Sequence, residues 1–173
     1  MLVVLTGLPG TGKSAVADAL GAALPAAVFG RDRIEAGLWA GGLSAELGSG
    51  RAAYDVMTAL AADQLALGQP VVLDSVATTE TIRAPWRRAA AHHAAPMCAI
   101  ECVCSDERLH RSRIELRRRD IPGWYELSWS DVQDARTRYE PWPHERLSGG
   151  HLVLDAVNSL DANVATALAF TRA

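Results

Sequence analysis

The chain has 173 residues and a mass of 18.5 kDa, and 49% of its residues are hydrophobic while 21% are charged. These values predict one globular domain, residues 1–173, with enough apolar residues for a real core. The formal charge of −3 argues against a general attraction to nucleic acid, and no apolar run is long enough to cross a bilayer. Because Met1 leads straight into an apolar strand without a basic segment or cleavage site, we expect a cytoplasmic location.

The amino-terminal stretch carries the most specific motif. An apolar strand at residues 2–5 runs into a glycine-rich loop that fits the pattern G-x-x-x-x-G-K-[ST] at every fixed position, and an amphipathic helix follows. The glycines allow backbone N–H groups to face phosphate oxygens at the positive end of that helix. The predicted nucleotide-binding residues are Gly7, Leu8, Pro9, Gly10, Thr11, Gly12, Lys13, Ser14 and Ala15.

Lysine usage points to the same loop. The chain contains 16 arginines but a single lysine, Lys13, which occupies the fixed lysine position of the motif. A compact ammonium group suits the outer phosphates of a nucleotide, where it acts as a point charge. We therefore predict that Lys13 neutralises these phosphates during catalysis and that the Ser14 hydroxyl ligates Mg²⁺.

A second strand, at residues 26–30, is expected to deliver Asp32 to the same edge of the sheet. In open α/β sheets ligands bind beyond the carboxyl ends of the strands, so Asp32 would lie beside the phosphate loop. A carboxylate there can accept the proton of a hydroxyl group that attacks the γ-phosphate. Alternatively, Asp32 caps a helix that begins at Arg33. The residues alone leave these two interpretations equally open.

A third strand, at residues 71–74, ends in Asp74. Before it we expect a mobile glycine- and serine-rich connection at residues 41–50 and a long helix from Arg51 to Gly68. A buried strand closed by an acid is typical of the carboxylate that holds Mg²⁺ in phosphate-loop proteins. Strands also end in Asp for turn reasons, but the upstream loop favours a metal site of Ser14 and Asp74.

A helix at residues 78–93 and a buried strand at residues 97–104 should follow. That strand holds all three cysteines, Cys98, Cys102 and Cys104. An odd number of cysteines in one run does not make a disulfide framework, and no histidine or cysteine pair elsewhere has zinc spacing. We interpret all three as buried thiols.

Six arginines cluster after this strand. Part of the run fits a salt-bridged helix face with the pairs Glu107–Arg111 and Glu115–Arg119. It also fits a helical lid, at about residues 108–130, that closes over ATP and places guanidinium groups on the transferred phosphoryl group. We favour the lid for at least one of them. The candidates are Arg111, Arg113, Arg117 and Arg118.

Aromatic residues follow the arginines, before and within a helix expected at residues 128–139. They could form a stacking wall for a base or an aromatic substrate, but packing of the lid against the body is the more frequent role, and we favour it. The four residues are Trp124, Tyr125, Trp129 and Trp142. A last strand at residues 152–155 and an amphipathic helix from Leu160 close the chain.

Together, these motifs resemble the small phosphate-loop kinases, a group that includes the kinase domain of phage polynucleotide kinase, chloramphenicol phosphotransferase and the zeta-toxin sugar-nucleotide kinases. The resemblance rests on the loop at residues 7–14, the segment 29–32, the strand 71–74 with the Trp86-Arg87 helix behind it, and the arginine-rich lid. It implies a three-layer α/β phosphate-loop NTPase fold, with five parallel strands in nucleoside-monophosphate-kinase order and helices on both faces. It also implies ATP and Mg²⁺ as cofactors and Asp32 as the base.

We therefore predict an ATP-dependent kinase that phosphorylates a hydroxyl group of a small molecule, such as a metabolite, nucleoside or antibiotic-like compound. One alternative keeps the fold and makes the 5′-hydroxyl of a nucleic acid the acceptor, which the negative net charge disfavours. Another is a regulatory switch that hydrolyses ATP slowly. Against it, an Asn-Lys-x-Asp guanine signature is impossible when the only lysine is Lys13. Residues 33–50 and 120–145 match no single member of the group, so the acceptor and the oligomeric state stay open.

Overall fold

The computed structural model describes residues 1–143 and 147–172. Residues 144–146 and 173, which the one-domain prediction also covers, lie outside the described residues. The described strands are β1 (Leu2–Thr6), β2 (Ala27–Gly30), β3 (Val71–Asp74), β4 (Met97–Val103) and β5 (His151–Asp155). They form one parallel sheet in the order β2-β3-β1-β4-β5, which confirms the expected strand number, direction and order.

Helices cover both faces of this sheet. They are α1 (Lys13–Ala23), α2 (Arg31–Ala40), α3 (Ser49–Ala66), α4 (Glu80–His92), α5 (Glu107–Leu116), α6 (Trp129–Thr137) and α7 (Leu160–Arg172). Successive side chains of a strand point to opposite faces, so Val4 packs in a core with α3 and α4 while Val3 packs in a second core with α1 and α7. The sheet is thus buried on both sides, and the three-layer α/β fold is confirmed. Among the described residues, no helix combines the length and apolar character needed to span a membrane.

Two helices begin earlier than the sequence suggests. Helix α2 begins at Arg31, immediately after Gly30, because the extended Gly30 backbone turns directly into the helix. Helix α3 begins at Ser49, so the connection expected at residues 41–50 is two residues shorter. The Ser49 side chain is buried rather than part of a loop.

The cysteines divide into two environments. Cys98 and Cys102 are buried in β4, as expected, whereas Cys104 lies just beyond the end of the strand and is partly exposed. Burial raises the pKa of Cys98 to about 11 and that of Cys102 to about 12. Both buried thiols therefore stay protonated near neutral pH, and thiolate chemistry at these two positions is disfavoured.

Arg83 on α4 is fully buried and connects two loops near the carboxyl edge of the sheet. Its guanidinium donates to the carbonyl oxygens of Ala77 (2.7 Å), Thr78 (3.2 Å), Glu140 (2.6 Å) and Pro141 (2.9 Å). One side chain thus fixes the segment after β3 to the segment after α6. Five N–H donors in a planar fork suit this arrangement, which a lysine could not reproduce.

Replacing Arg83 with Met should lower the free energy of unfolding by about 3 kcal/mol, because a fully buried side chain loses four hydrogen bonds to carbonyl groups, of which, among the described residues, Thr78 alone keeps a backbone donor, the Glu140 N–H. Urea denaturation followed by circular dichroism would measure this. The control is Arg88→Met, at an exposed position on the same helix, for which we expect little change. Equal losses in the two variants would show that Arg83 does not carry this connection.

Candidate active site

The carboxyl ends of three neighbouring strands bring the predicted site residues together. Asp74 at the end of β3 is in register with Leu5 of β1 on one side and with Gly30 of β2 on the other. The phosphate loop leaves β1 at this edge, and α2 with Asp32 starts directly after β2. Parallel pairing alone therefore places the loop, Asp32 and Asp74 around one point.

The conformation of the phosphate loop is fixed by contacts within the loop and with β4 and α5. Gly7 has φ +129°, and a Cβ atom there would lie 2.1 Å from the carbonyl oxygen of Cys102, so only glycine fits. The Thr11 hydroxyl donates to the carbonyl of Leu8 (2.8 Å) inside the loop. His110 of α5 contacts the Pro9 carbonyl through Nε2 at 2.6 Å. Burial lowers the pKa of His110, so a neutral imidazole donates this bond and ties α5 to the loop.

Lys13 is the first residue of α1 and only 7% exposed. Burial lowers its pKa, while the nearby carboxylates of Asp74 and Asp32 oppose that shift. The ammonium group thus lies in the field of both acids that the sequence singles out. A cation in this position is ready to meet additional negative charge, such as that of a phosphate group.

Ser14 and Asp74 form the predicted metal pair. Asp74 Oδ1 is buried and has no hydrogen-bond partner among the described residues. Burial raises the pKa of the Asp74 carboxyl, and Lys13 and a hydrogen bond from Ser14 oppose the shift. Mg²⁺ prefers oxygen ligands and usually takes only one or two from the protein when phosphates supply others. The unpartnered oxygen beside a hydroxyl fits such an ion.

Asp74→Asn should raise the thermal stability of the nucleotide-free protein while weakening its use of Mg²⁺. The folded-state pKa of Asp74 lies above the unfolded one, so its ionised form costs stability increasingly as pH rises through the folded value. Asn removes that cost, and a gain of about 1 kcal/mol would raise Tm by about 2–4 °C. We expect this gain at pH 7.5 and not at pH 4. The Mg²⁺ concentration for half-maximal activity should rise about 10–100-fold, and an unchanged Mg²⁺ requirement would contradict the assignment.

Asp32 lies in the first turn of α2, and its carboxylate contacts two arginines. Arg31 Nη1 lies 3.2 Å from Asp32 Oδ1, and Arg119 Nη1 binds Asp32 Oδ2. The helix cap is Gly30 and no side chain caps the helix, so the alternative of a capping Asp32 is wrong. Burial raises the pKa of Asp32, but the charges of Arg119 and Lys13 lower it. The lowering effects together outweigh burial, so the pKa lies below its usual range. Asp32 is therefore ionised at neutral pH.

The arginine run divides where α5 ends at Leu116. Arg111 lies on the outer face of α5, 59% exposed and paired with Glu115 at 2.8 Å, so the structure does not bring it to the site. Arg113 donates to the Ala156 carbonyl (2.9 Å) beyond β5. The pairs expected from helical spacing, Glu107–Arg111 and Glu115–Arg119, do not form. Arg111 instead pairs with Glu115, and Arg119 lies beyond the end of the helix.

Three clefts meet around Arg117. The loop cleft, about 550 Å³, is lined by the phosphate loop, Ala15, Ser112 and Arg113. The aromatic cleft, about 280 Å³, lies between α2, α3 and the segment after α5. The strand cleft, about 220 Å³, lies beyond β2 and β3. The residues that line more than one cleft are Lys13, Ser14, Asp32, Arg117 and Arg119, and Arg117 lines all three. Arg118 lines the strand cleft alone.

Two of the four aromatic residues line the aromatic cleft. Trp124 stacks on Trp39 of α2 with ring centroids 4.7 Å apart, and Tyr125 stacks on Trp124 at 5.4 Å. The other two pack the protein body. Trp129 lies edge-on against His110 at 5.1 Å, and Trp142 is buried in the core. The Trp124–Trp39 stack packs the lid segment against α2, as the favoured interpretation expects, and a stacking role of Trp124 and Tyr125 toward a ligand stays a prediction.

The fold and loop define a phosphate-loop nucleotide-binding α/β protein. A model of the AAA domain family matches residues 2–141, and the chain belongs to that family. Among curated proteins no match is found.

Three solved structures share the fold along nearly the whole chain. A protein from Chloroflexus aurantiacus J-10-fl is 22% identical, with 98% of this chain and 97% of that chain covered and a TM-score of 0.77. A sugar kinase from Janibacter sp. HTCC2649 is 14% identical, with coverage of 99% and 94% and a TM-score of 0.76. The APS kinase CysC of Mycobacterium tuberculosis, in complex with AMPPNP and APS, is 22% identical, with coverage of 99% and 97% and a TM-score of 0.64. At these identities the similarity shows a common fold.

Proposed function

We propose that the protein is an ATP-dependent kinase that transfers the γ-phosphate to a hydroxyl group of a small molecule. The observation that carries the proposal is that an ionised carboxylate, Asp32, lines the aromatic cleft together with Lys13, Arg117 and Arg119, of which Lys13 and Arg117 also line the loop cleft. A phosphoryl-transfer site needs cations around the phosphate and a base on the acceptor side. Lys13, Arg117 and Arg119 can supply the cations, and Asp32 can serve as the base.

The loop cleft suits the nucleotide. The backbone of the phosphate loop would surround the β- and γ-phosphates, and Lys13 would neutralise their charge. Arg117 is half-buried and has no ion pair with the described residues, and burial lowers its pKa. A guanidinium in that position gains from an anionic ligand. We assign it to the γ-phosphate, whereas Arg113 on α5, which contacts Ala156 beyond β5, would lie nearer the base of the nucleotide.

The reaction would then proceed in one displacement. The acceptor hydroxyl oxygen attacks the γ-phosphorus, the bond from that phosphorus to the bridging oxygen of ADP breaks, and the hydroxyl proton passes to Asp32. Mg²⁺ held by Ser14 and Asp74 would supply charge neutralisation on the phosphates. Asp32 can accept the proton because it is ionised before the reaction.

The aromatic cleft suits the acceptor. Its volume of about 280 Å³ is close to that of sites that bind small molecules. The sugar kinase and APS kinase among the similar structures support a small hydroxylated acceptor in a protein of this fold. Tyr54, Trp124 and Tyr125 offer ring surfaces there, while Arg31 and Arg138 offer donors.

Incubation with γ-labelled ATP and a panel of sugars, sugar acids, nucleosides and aminoglycosides tests the proposal. We expect label in one class of acceptor, with ADP release that depends on that acceptor. Label released only as inorganic phosphate would favour the regulatory ATPase instead. Label transferred to oligonucleotides, with steep salt dependence, would favour the polynucleotide kinase.

A further inference from the structure

A chain of buried contacts holds Asp32 from the side of α2 and α3. Trp39 Nε1 donates to Ser49 Oγ (2.8 Å), and Ser49 Oγ donates to Glu35 Oε1 (2.8 Å). Arg31 Nη2 binds Glu35 Oε2 at 2.7 Å, and its Nη1 lies 3.2 Å from Asp32 Oδ1. Glu35 is 4% exposed and Ser49 is fully buried. Arg31 is therefore fixed between two acids of its own helix.

The segment that follows α5 joins the two ends of this chain of contacts. Arg119 binds the other oxygen of Asp32 and lies over the ring of Trp124, 5.5 Å from its centroid. Trp124 in turn stacks on Trp39, where the chain of buried contacts began. Asp32 is thus held by one cation of the protein body and by one cation of the lid.

The two cations differ in how firmly they are bound. Arg31 shares its charge with Glu35 as well as Asp32, and Tyr54 lies beneath its guanidinium at 5.6 Å. The Arg119 guanidinium has Asp32 as its one acidic partner among the described residues, while the Arg119 backbone N–H donates to Glu126 Oε1 at 3.0 Å. It also lines the aromatic cleft together with Lys13 and Arg117, the two cations that line the loop cleft as well, where the γ-phosphate is proposed to bind. An incoming phosphate would compete with Asp32 for Arg119 but not for Arg31.

Building on the proposed function, we propose that Arg119 is a catalytic residue that exchanges partners, from the Asp32 carboxylate in the free protein to the γ-phosphate in the nucleotide complex. Arg31, fixed by Glu35, keeps the carboxylate in place during the exchange. The oxygen that Arg119 releases then faces the acceptor and takes the hydroxyl proton as the new oxygen–phosphorus bond forms and ADP departs with the bridging oxygen. Arg119 meanwhile neutralises the equatorial oxygens. The Asp32 carboxylate thus stays ion-paired with Arg119, and that oxygen cannot accept a proton, until a γ-phosphate is present.

This exchange predicts an energetic coupling between Asp32 and Arg119 that depends on the γ-phosphate. Affinities for MgAMPPNP and MgADP would be measured by calorimetry for the wild type, Asp32→Asn, Arg119→Gln and the double variant. With Arg119 present, Asp32→Asn should tighten MgAMPPNP binding about tenfold relative to MgADP, because Arg119 no longer has to leave a carboxylate. In the Arg119→Gln background the same substitution should change that ratio by less than about threefold.

Matched variants separate the possible results. Arg108→Gln, at an exposed position of the same lid, should leave the Asp32→Asn effect intact. Arg119→Lys keeps the charge without the planar fork, and should give an intermediate coupling even if Arg119→Gln folds poorly. An equal effect of Asp32→Asn in all backgrounds would overturn the exchange and leave the proposed kinase standing. A wild-type protein that binds neither nucleotide would overturn both.

Discussion

Replacing Lys13 with Ala should lower phosphoryl transfer by about 10³-fold, the loss typical of removing a group that stabilises transition-state charge in a closed site. Lys13 is 7% exposed and lies in the field of both Asp32 and Asp74, so its loss removes a cation from a buried place that holds two carboxylates. Transfer would be measured as acceptor-dependent ADP release. Retention of full activity would show that the glycine-rich loop does not bind the phosphates in the proposed way.

Lys13→Arg is the informative companion variant. It keeps the positive charge, yet a planar guanidinium does not fit the position of a buried, compact ammonium, so we expect little recovery of activity. The chain offers a chemical test as well, because Lys13 is the only lysine among 173 residues. Amine acylation followed by peptide mass spectrometry should modify Lys13 slowly in the free protein. MgATP should protect it, whereas the α-amino group should react equally in both samples.

Much of the site could be predicted because its parts are local patterns. The glycine spacing of the phosphate loop encodes the positive φ angles that the structure shows at Gly7, Gly10 and Gly12. Short apolar runs encode buried parallel strands, and the common edge of such strands brings Asp32 and Asp74 beside the loop. Two acids distant in sequence thus become neighbours through sheet topology alone.

The contacts of Arg119 could not be predicted in the same way. Helical spacing pairs it with Glu115, but α5 ends at Leu116, and residue 117 already has extended backbone. No strong stop signal, such as glycine or proline, marks this end in the sequence, and the run of arginines reads as continuous. The position of the Arg119 side chain is instead determined by a long-range ion pair with Asp32 and by its stacking on Trp124.

The buried hydrogen-bond network beside Asp32 could not be predicted from the sequence either. Glu35 and Ser49 are polar residues in a helix and in a predicted loop, and both patterns are typical of exposed positions. In the structure they are buried because each satisfies the other's hydrogen bond, with Arg31 and Trp39 completing the set. Such a network depends on contacts between α2 and α3, and one-dimensional periodicity does not report them.

Asp32→Asn should reduce turnover by about 10²–10⁴-fold, the range for loss of a general base. The variant should stay folded because Asn keeps the shape of the side chain. Its affinity for the triphosphate should not fall, and should rise as the partner exchange predicts, because a negative charge is removed from beside the phosphates. Asp55→Asn is the control, since Asp55 is an exposed acid whose partner is Arg51 on the outer face of α3. Unchanged turnover in Asp32→Asn would remove this carboxylate from the mechanism.

The pH dependence gives Asp32→Asn a second readout. Arg119 and Lys13 hold the pKa of Asp32 below its usual range against the opposing effect of burial, so the carboxylate stays ionised well into the acidic range. Because kcat/KM follows the free enzyme, its acid limb in the wild type should lie below the ordinary carboxyl value. Arg119→Gln removes one of these charges and should move that limb to higher pH. In Asp32→Asn the limb should disappear from the residual activity, and its persistence would assign the titration to another group.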